Sequence, residues 1–470
     1  MDLTKIIKKN KTEFIILTVI LLFALFLRLW SLGSAPLWVD ESISANTAQA
    51  ILEKGIPEFD SGYIDERAYT FHYIQAFFLL FGINDFTVRL VSVLFGLLTI
   101  LLAFFIGKEY SKSGGLIAAA FAALFYLEVF YSRQARMYQM FQFFFFLTLY
   151  LLYKSKEKPL LLIPTIISFF LTYDTHLAGL ILAPFIILHI LIYNRKYWYS
   201  AILPAIPLVQ KLIPASSLST GVSESAINYA STYFSYTYSI TYILILSVIG
   251  LIWAFTKDKR LTSFLILPSI VLLIGIFSLQ VFAFRYAYFF VFPLILFSAV
   301  LFGFLYDKYG KLMLIPIIIL ILVPSNLFYQ QTYVNVIKPI DYNYNDFSAP
   351  EINYKILPSN LTNELKNSTI MTFFSPEVEW YLKNPDYVFP FSLDGRGEDQ
   401  VSRNSTDGRI VDIYSGALIS TSKPNGSFYF LADYFGASKL KTGQREQFNS
   451  IIANCTISYE NSDLRVYSCL

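Results

Sequence analysis

The chain has 470 residues, of which 55% are hydrophobic and 15% are charged, and its formal net charge is +3. Soluble globular proteins contain about 45–50% apolar and about 25% charged residues, so this composition excludes a soluble enzyme and a disordered protein. The small net charge excludes a nucleic-acid partner. Two cysteines and three histidines are too few for a metal cluster or for more than one disulfide bridge.

Long apolar runs fill residues 1–330 and are absent from residues 331–470. A membrane-spanning helix needs about 20 apolar residues. The first run follows a lysine-rich N-terminus and has no small-residue cleavage site, so we interpret it as a retained signal anchor. The candidate spans are 13–32, 88–107, 114–131, 138–153, 160–175, 177–193, 198–213, 238–256, 262–280, 287–305 and 312–329. They predict a polytopic α-helical membrane protein of about 11 transmembrane helices.

Basic residues concentrate in every second loop between these spans, at 108–112, 154–158, 195–196, 257–260 and 308–311. Cytoplasmic loops of membrane proteins are enriched in Lys and Arg. The pattern therefore predicts a multi-pass protein of the cell membrane, with its N-terminus in the cytoplasm and residues 331–470 outside. Five of the six Asn-X-Ser/Thr sequons agree, since they lie in the C-terminal part, at Asn360, Asn367, Asn404, Asn425 and Asn454; the sixth, at Asn10, lies in the N-terminal segment.

The first external loop covers residues 33–87 and contains two helix-like stretches. Residues 42–54 look like an interfacial helix capped by Ser42. Residues 69–82 are too short to span and contain His72 and Gln75, so we predict an interfacial helix on the outer leaflet.

Ionisable residues cluster at the outer ends of the spans and in this loop. Such groups at membrane depth usually mark function. A carboxylate can accept a proton from an attacking hydroxyl, and arginine can hold a phosphate. The pattern predicts group transfer from a membrane-anchored phosphate to an external hydroxyl. The cluster comprises Arg28, Asp40, Glu41, Asp65, Glu66, Arg67, Arg89, Glu128, Arg133, Arg136, Asp174, His176 and Arg285.

Four short segments, in order, resemble motifs of the GT-C superfamily of membrane glycosyltransferases. They are PLWVDES at 36–42, the stretch NDFTVRLVSVLFGLLT at 84–99, YSRQARMY at 131–138, and Arg285-Tyr286 followed by Pro293. The dolichyl-phosphate-mannose protein mannosyltransferase and aminoarabinose transferase branch is the most similar. The resemblance covers roughly residues 25–300 and implies a GT-C-like membrane fold.

The resemblance implies a polyprenyl- or dolichyl-phosphate monosaccharide as donor and transfer, with inversion, to an extracytoplasmic glycan, lipid or protein hydroxyl. It makes Asp40 the general base, with Glu41 as its catalytic neighbour. Arg133, Arg136 and Arg285 are the candidates for donor phosphate binding. The candidates for substrate binding are Asp65, Glu66, Arg67, Tyr138 and His176. The sequence names no certain cofactor and leaves open a divalent cation, Mg²⁺ or Mn²⁺, on Asp40.

The sequence departs from the family pattern at two places, and simpler structural interpretations of the candidate residues remain open. Gln134 occupies the position of a family glutamate, and residues 65–69 replace a family His-Pro-Pro or Lys-Pro-Pro element. Asp40 and Glu41 could cap the following helix, the arginines could snorkel to lipid head groups, and residues 65–67 could be a solvated loop. The alternative functions are a transporter or lipid flippase, and a catalytically inactive GT-C-fold assembly component.

The C-terminal part alternates short β-type runs with helix-like stretches. The β-type runs are 369–374, 387–391, 427–432 and 464–468, and the clearest helices are 376–383 and 442–454. This order predicts an extracytoplasmic soluble α/β domain at 331–470. Cys455 and Cys469 also lie here, and the sequence leaves open whether they form a disulfide.

Overall fold

A computed structural model of the chain describes residues 11–212, 241–277, 284–322, 352–390, 402–404 and 409–469. The chain divides into two compact units. The helical unit comprises Met1–Trp30 and Val91–Ile340, and the sheet unit comprises Ser31–Leu90 and Asp341–Leu470. The sequence grouped the loop 33–87 with the membrane helices, whereas in the structure this loop folds together with the C-terminal residues.

Helices account for most of the chain up to residue 322. In chain order they are α1 (Lys11–Leu29), α2 (Val39–Lys54), α3 (Tyr69–Leu79), α4 (Leu90–Tyr110), α5 (Gly114–Leu124), α6 (Tyr126–Tyr131), α7 (Tyr138–Ser155), α8 (Leu162–Thr175), α9 (Leu182–Tyr193), α10 (Ile202–Leu212), α11 (Thr241–Lys257), α12 (Lys259–Phe277), α13 (Phe284–Ala287), α14 (Val291–Tyr309) and α15 (Leu314–Leu322). In the described part of the chain, the predicted spans coincide with helices, apart from span 114–131, which is divided because the backbone of Phe125 is extended. Residues 213, 238–240, 278–280 and 323–329 of these spans lie outside the described residues.

Four helical stretches are long and apolar enough to cross a membrane among the described residues: Lys11–Leu29, Thr87–Tyr110, Lys259–Ile276 and Arg285–Ile319. Shorter apolar helices accompany them at Gly114–Leu124, Pro159–Thr175, Leu177–Tyr193 and Ile243–Lys257. Their side chains leave many large apolar groups exposed, as expected for helices that face lipid.

Strands and helices follow in the C-terminal part. They are α16 (Ser359–Lys366), β1 (Thr369–Thr372), α17 (Ser375–Tyr381), β2 (Tyr387–Val388), β3 (Ser402–Asn404), β4 (Ile410–Asp412), β5 (Leu418–Ile419), β6 (Phe428–Asp433), α18 (Tyr434–Lys439), α19 (Thr442–Ile452), β7 (Thr456–Glu460) and β8 (Leu464–Cys469). The described strands form an eight-stranded sheet in the order β3-β4-β5-β2-β1-β6-β8-β7.

The sheet is mixed, as in many α/β folds. The pairs β1–β2, β1–β6 and β2–β5 are parallel, and the remaining neighbours are antiparallel. Phe373, Phe389, Phe430 and Phe448 pack together in its core. A disulfide joins Cys455 to Cys469, which answers the question that the sequence left open.

The loop of residues 31–90 supplies two helices to the sheet unit. Helix α2 lies against α17, where the Asn46 side-chain amide donates to the Pro376 carbonyl at 3.0 Å. Helix α2 begins at Val39 after an extended Trp38, so the prediction that Ser42 caps it was wrong. The apolar stretch predicted at 69–82 is helical over Tyr69–Leu79.

Candidate functional site

Asp40 and Glu41 are neighbours in the first turn of α2, but their surroundings differ. Glu41 is buried, with 1% of its surface exposed. Arg89 donates a hydrogen bond to each of the Glu41 carboxylate oxygens, from Nε at 2.9 Å and from Nη2 at 2.8 Å. The same guanidinium donates to the carbonyl oxygens of Leu32, Ala35 and Pro36. Asp40 is half-buried, so its carboxylate is the more accessible of the two.

The surroundings of Asp40 within the sheet unit include Tyr414 and Glu377. Burial raises the pKa of Tyr414 to about 12, and the negative charges of Asp65 and Asp40 add to this shift while Arg67 opposes it. Burial also raises the pKa of Glu377 well above its usual range, and Asp433 and Asp40 contribute in the same direction. Burial therefore favours the neutral form of the Glu377 carboxyl.

Asp65 and Arg67 form a forked pair in the same unit. Arg67 donates from Nε to Asp65 Oδ1 at 2.8 Å and from Nη2 to Oδ2 at 3.0 Å. Burial raises the pKa of Asp65, but the hydrogen bonds and charge of Arg67 outweigh it and keep that pKa below the usual value. The Arg67 side chain is 56% exposed, and Glu66 is also exposed, so both can reach solvent.

Arg133 closes the C-terminal end of helix α1 in the helical unit. Its Nη1 donates to the carbonyl oxygens of Leu27, Arg28 and Trp30 at 2.8, 3.1 and 2.7 Å. These carbonyls have no partners within the helix, and a cation at a helix C-terminus is favourable. A structural role therefore accounts for this end of the Arg133 side chain.

A cavity of about 420 Å³ in the helical unit contains three of the predicted site residues: Tyr138, His176 and Arg285. The Arg285 guanidinium lies over the Tyr286 ring, 5.5 Å from its centroid. The His176 Nδ1 accepts the backbone N–H of Ala178 at 3.1 Å. The full lining is Met137, Tyr138, Phe141, His176, Leu177, Ala178, Leu272, Gly275, Ile276, Arg285, Tyr286, Tyr288 and Phe289.

Arg136 lies beside this cavity rather than in its lining. Its guanidinium is over the Tyr138 ring at 5.7 Å, and its positive charge acts on the His176 ring. Of the three arginines predicted to bind a phosphate, Arg285 lines the cavity, Arg136 adjoins it through Tyr138, and Arg133 is bonded to the end of α1.

Comparison with known proteins gives one family match and several structures of similar fold. The family model described as dolichyl-phosphate-mannose-protein mannosyltransferase matches residues 67–219. The solved structure of ArnT from Cupriavidus metallidurans in the apo state is similar over 98% of both chains, with a TM-score of 0.61 and 12% identity. The chain has the GT-C fold.

Two further solved structures share this GT-C architecture. The same ArnT bound to undecaprenyl phosphate matches with a TM-score of 0.56 and 12% identity, again over 98% of both chains. The Archaeoglobus fulgidus oligosaccharyltransferase, tethered to an acceptor peptide containing the NVT sequon, matches with a TM-score of 0.56 and 11% identity. The alignment with it covers 98% of this chain and 74% of that one. No curated protein sequence matches the chain.

The resemblance to the GT-C superfamily, which rested on four short motifs, is thus confirmed. The membrane character predicted from the apolar runs is also confirmed by the family match and by these membrane-protein neighbours. The structure adds the side-chain contacts of the motif residues within each unit, which the motifs alone could not give. In the motif at 84–99, for example, Arg89 is the partner of Glu41.

In a buried polar network of the GT-C helical unit, the sequence interpretation singled out Glu128 but missed its partners. The Tyr288 hydroxyl lies 2.8 Å from Glu128 Oε2 and 2.6 Å from Gln139 Oε1. The Gln142 amide donates to Glu128 Oε1 at 2.9 Å. Tyr288 stacks on Tyr131, with centroids 4.0 Å apart, and also lines the cavity. Only its closeness to Arg285 in the chain could have drawn attention to it.

The residues around Asp40 do not fit a divalent cation. Both carboxylate oxygens of Glu41 accept hydrogen bonds from Arg89, so they are not available as ligands. Within the described part of the chain, no group of three or more His, Cys, Asp or Glu side chains could hold a metal ion. Mg²⁺ and Mn²⁺ need more oxygen ligands than this site provides, so we derive no catalytic step through a metal ion.

Proposed function

We propose that the protein is a GT-C membrane glycosyltransferase that moves a monosaccharide from a polyprenyl-phosphate donor to an extracytoplasmic hydroxyl, with inversion. The observation that carries the proposal is the contrast between the two acids of the first external loop. Arg89 holds Glu41 in a buried ion pair, whereas Asp40 in the same helical turn is half-buried and accessible. One base is what an inverting transfer needs.

The reaction requires one bond to form as another breaks. The acceptor oxygen attacks the anomeric carbon of the sugar, and the bond from that carbon to the phosphate oxygen breaks. Asp40 takes the proton of the attacking hydroxyl, as a general base does. The polyprenyl phosphate departs as an anion without needing a proton, so a second catalytic acid is unnecessary.

The cavity in the helical unit supports a lipid phosphate as donor. Its volume of about 420 Å³ and its mainly apolar and aromatic lining suit part of an amphipathic molecule. Arg285 supplies a cation that can bind a phosphate, and Tyr138 and His176 supply polar groups for a sugar. A relative by fold, the Cupriavidus metallidurans ArnT, has been solved with undecaprenyl phosphate bound.

We assign the remaining predicted site residues by their contacts. Glu41 acts by fixing the loop and not by proton transfer, because Arg89 engages both of its oxygens. Arg67 and Glu66 are exposed and can contact the acceptor, with Asp65 orienting Arg67. Arg136 aids the donor site through Tyr138, and Arg133 holds the end of α1.

An extracytoplasmic sheet unit agrees with two independent features. Disulfides persist in oxidising compartments, and the bridge Cys455–Cys469 lies in this unit. The basic loops also alternate as the positive-inside rule requires if the N-terminus is cytoplasmic. Addition of a membrane-impermeant thiol reagent to intact cells, after reduction, should label Cys455, the less buried of the two cysteines; labelling only after lysis contradicts this orientation.

The test of the function is donor turnover by the purified protein. Incubation with a panel of polyprenyl-phosphate monosaccharides and hydroxyl acceptors should identify one donor that is consumed. The Asp40→Asn variant should lose turnover by about 100-fold or more, because general-base catalysis contributes about 10²–10⁴-fold. It should still be stabilised against heat by the donor. Undiminished turnover in Asp40→Asn contradicts the proposed mechanism.

A matched control and an alternative outcome complete the test. Glu53, an exposed acid at the other end of α2, gives the control variant Glu53→Gln, which should retain wild-type turnover. A wild-type protein that moves the donor between leaflets of a vesicle without consuming it supports a flippase instead. Binding of the donor without either event supports an inactive assembly component.

A further inference from the structure

The C-terminal part of the chain reaches the Asp40 segment through helix α17. At its end, the Tyr381 hydroxyl accepts the backbone N–H of Leu37 at 2.6 Å and donates to Asp85 Oδ2 at 2.7 Å. Leu37 is completely buried and lies three residues before Asp40. We propose that Tyr381 is a positioning residue that holds the segment entering α2 and so sets the place of the Asp40 carboxylate.

The Leu37 backbone N–H needs a hydrogen-bond partner from outside helix α2. It precedes α2, which begins at Val39, so no turn of the helix can satisfy it. A buried backbone N–H without a partner is costly, and nearly all such groups are therefore paired. Tyr381, 344 positions further along the chain, provides the partner.

Asp85 keeps the Tyr381 hydroxyl in the required orientation. The Asp85 carboxylate, 5% exposed, also accepts the indole N–H of Trp380 at 2.8 Å and pairs with Lys355. The hydroxyl proton is directed to Asp85, which leaves the oxygen lone pairs facing Leu37. Burial, followed by the charge of Asp85, raises the pKa of Tyr381 above its usual range, so the hydroxyl keeps this proton at working pH.

Lys355 adds a second tether to the same segment. Its ammonium donates to the carbonyl oxygens of Gly33 at 2.8 Å and Ala35 at 3.3 Å. Residues 33–37 are thus bonded to the C-terminal part of the sheet unit at both ends. The bonds from Arg89 to Leu32, Ala35 and Pro36 come from within the loop itself.

The consequence for catalysis follows from geometry. Asp40 lies in the first turn of α2, directly after the tethered segment, and the Ser42 N–H bonds back to the Trp38 carbonyl at 2.9 Å. A shift of Leu37 therefore moves the start of the helix and the base together. A displacement of about 1 Å at a reacting group can lower the rate by about 10²-fold.

This inference rests on the proposed function, and Tyr381→Phe tests it because only the hydroxyl is removed. We expect kcat to fall by about 10- to 100-fold while KM for the donor stays within about twofold of wild type. In hydrogen–deuterium exchange, the peptide containing residues 36–41 should exchange faster than in the wild-type protein. The second measurement reports on the tether without requiring turnover.

Tyr429→Phe is the matched control. It also removes a tyrosine hydroxyl bonded to a carboxylate in the sheet unit, that of Glu364, but far along the chain from residues 31–90. It should change neither kcat nor exchange at 36–41. A Tyr381→Phe enzyme with wild-type kcat overturns the positioning role, as does a kcat loss with unchanged exchange at 36–41. A wild-type protein that consumes no donor overturns the proposed function instead.

Discussion

Two adjacent acids, Asp40 and Glu41, illustrate how much a side chain's role depends on its contacts. They look equivalent in the motif PLWVDES, and the sequence made both catalytic candidates. In the structure, Glu41 forms a buried ion pair with Arg89 through two hydrogen bonds, and both side chains are at most 5% exposed. The pairing of Arg89 with Glu41 could not be read from the sequence, because 48 positions separate them.

The Glu41–Arg89 pair gives a prediction on stability. Glu41→Gln leaves the Arg89 charge buried without its counter-charge, and breaking a buried pair from one side costs about 3–5 kcal/mol. We expect a clearly lower thermal unfolding midpoint for Glu41→Gln, measured on the detergent-solubilised protein. Asp40→Asn should retain the wild-type midpoint because Asp40 is half-buried. Equal midpoints for both variants would contradict the roles assigned to these neighbours.

At the scale of elements, the positions of the helices followed closely from the apolar runs. The predicted span 138–153 and the helix Tyr138–Ser155 differ by only a few residues, for example. The break at Phe125 within the predicted span 114–131 was missed because no Pro or Gly marks it. In the sheet unit, β1, β2, β6 and β8 overlap predicted runs, whereas β3, β4, β5 and β7 were not predicted. Strands of two or three residues, such as β3, β4 and β5, carry no detectable alternation, and the residues of β7 are mostly exposed.

Close packing of α11 against α14 yields a prediction at this scale. A Cβ atom added to Gly250 of α11 would overlap the backbone carbonyl oxygen of Phe297 in α14. Small residues allow membrane helices to approach in this way. Gly250→Ala should therefore lower the thermal midpoint, with a loss of about 1–3 kcal/mol or more from overpacking.

Gly275→Ala provides the comparison for Gly250→Ala. Gly275 lies in α12, and an added Cβ would meet no atom within 4 Å. Alanine also favours the helix over glycine, so this variant should unfold at or slightly above the wild-type midpoint. A Gly250→Ala midpoint as high as that of Gly275→Ala would show that the two helices are not packed so closely.

At the scale of the whole molecule, stability should depend on pH through acids that the sheet unit buries. Burial raises the pKa of Glu379 from 4.5 to about 8, with Asp60 and Asp412 adding to the shift and the Asn46 hydrogen bond and Lys54 opposing it. The folded state therefore binds the Glu379 proton more tightly than the unfolded chain does. The stabilisation of the folded state by protonated Glu379 is complete below about pH 4.5 and is lost as the pH rises through about 8.

Glu379→Gln tests this linkage. The wild-type thermal midpoint should fall by a few degrees more than that of Glu379→Gln between about pH 5 and about pH 9, because the amide cannot ionise. Glu446→Gln, at an exposed position of α19, should behave like the wild type. A Glu379→Gln protein with the same pH dependence as the wild type would contradict a raised pKa at this residue.

The sequence by itself determined the membrane character, the positions of most helices and longer strands, and the resemblance to the GT-C superfamily. These features are local: a run of apolar side chains or a short motif has the same meaning wherever the chain takes it. Only the tertiary structure decided that Arg89 holds Glu41, that Arg133 closes the end of α1, and that Tyr381 bonds to Leu37. Each of these contacts joins residues far apart in the chain, and a buried polar group takes whichever partner the fold brings within hydrogen-bond distance.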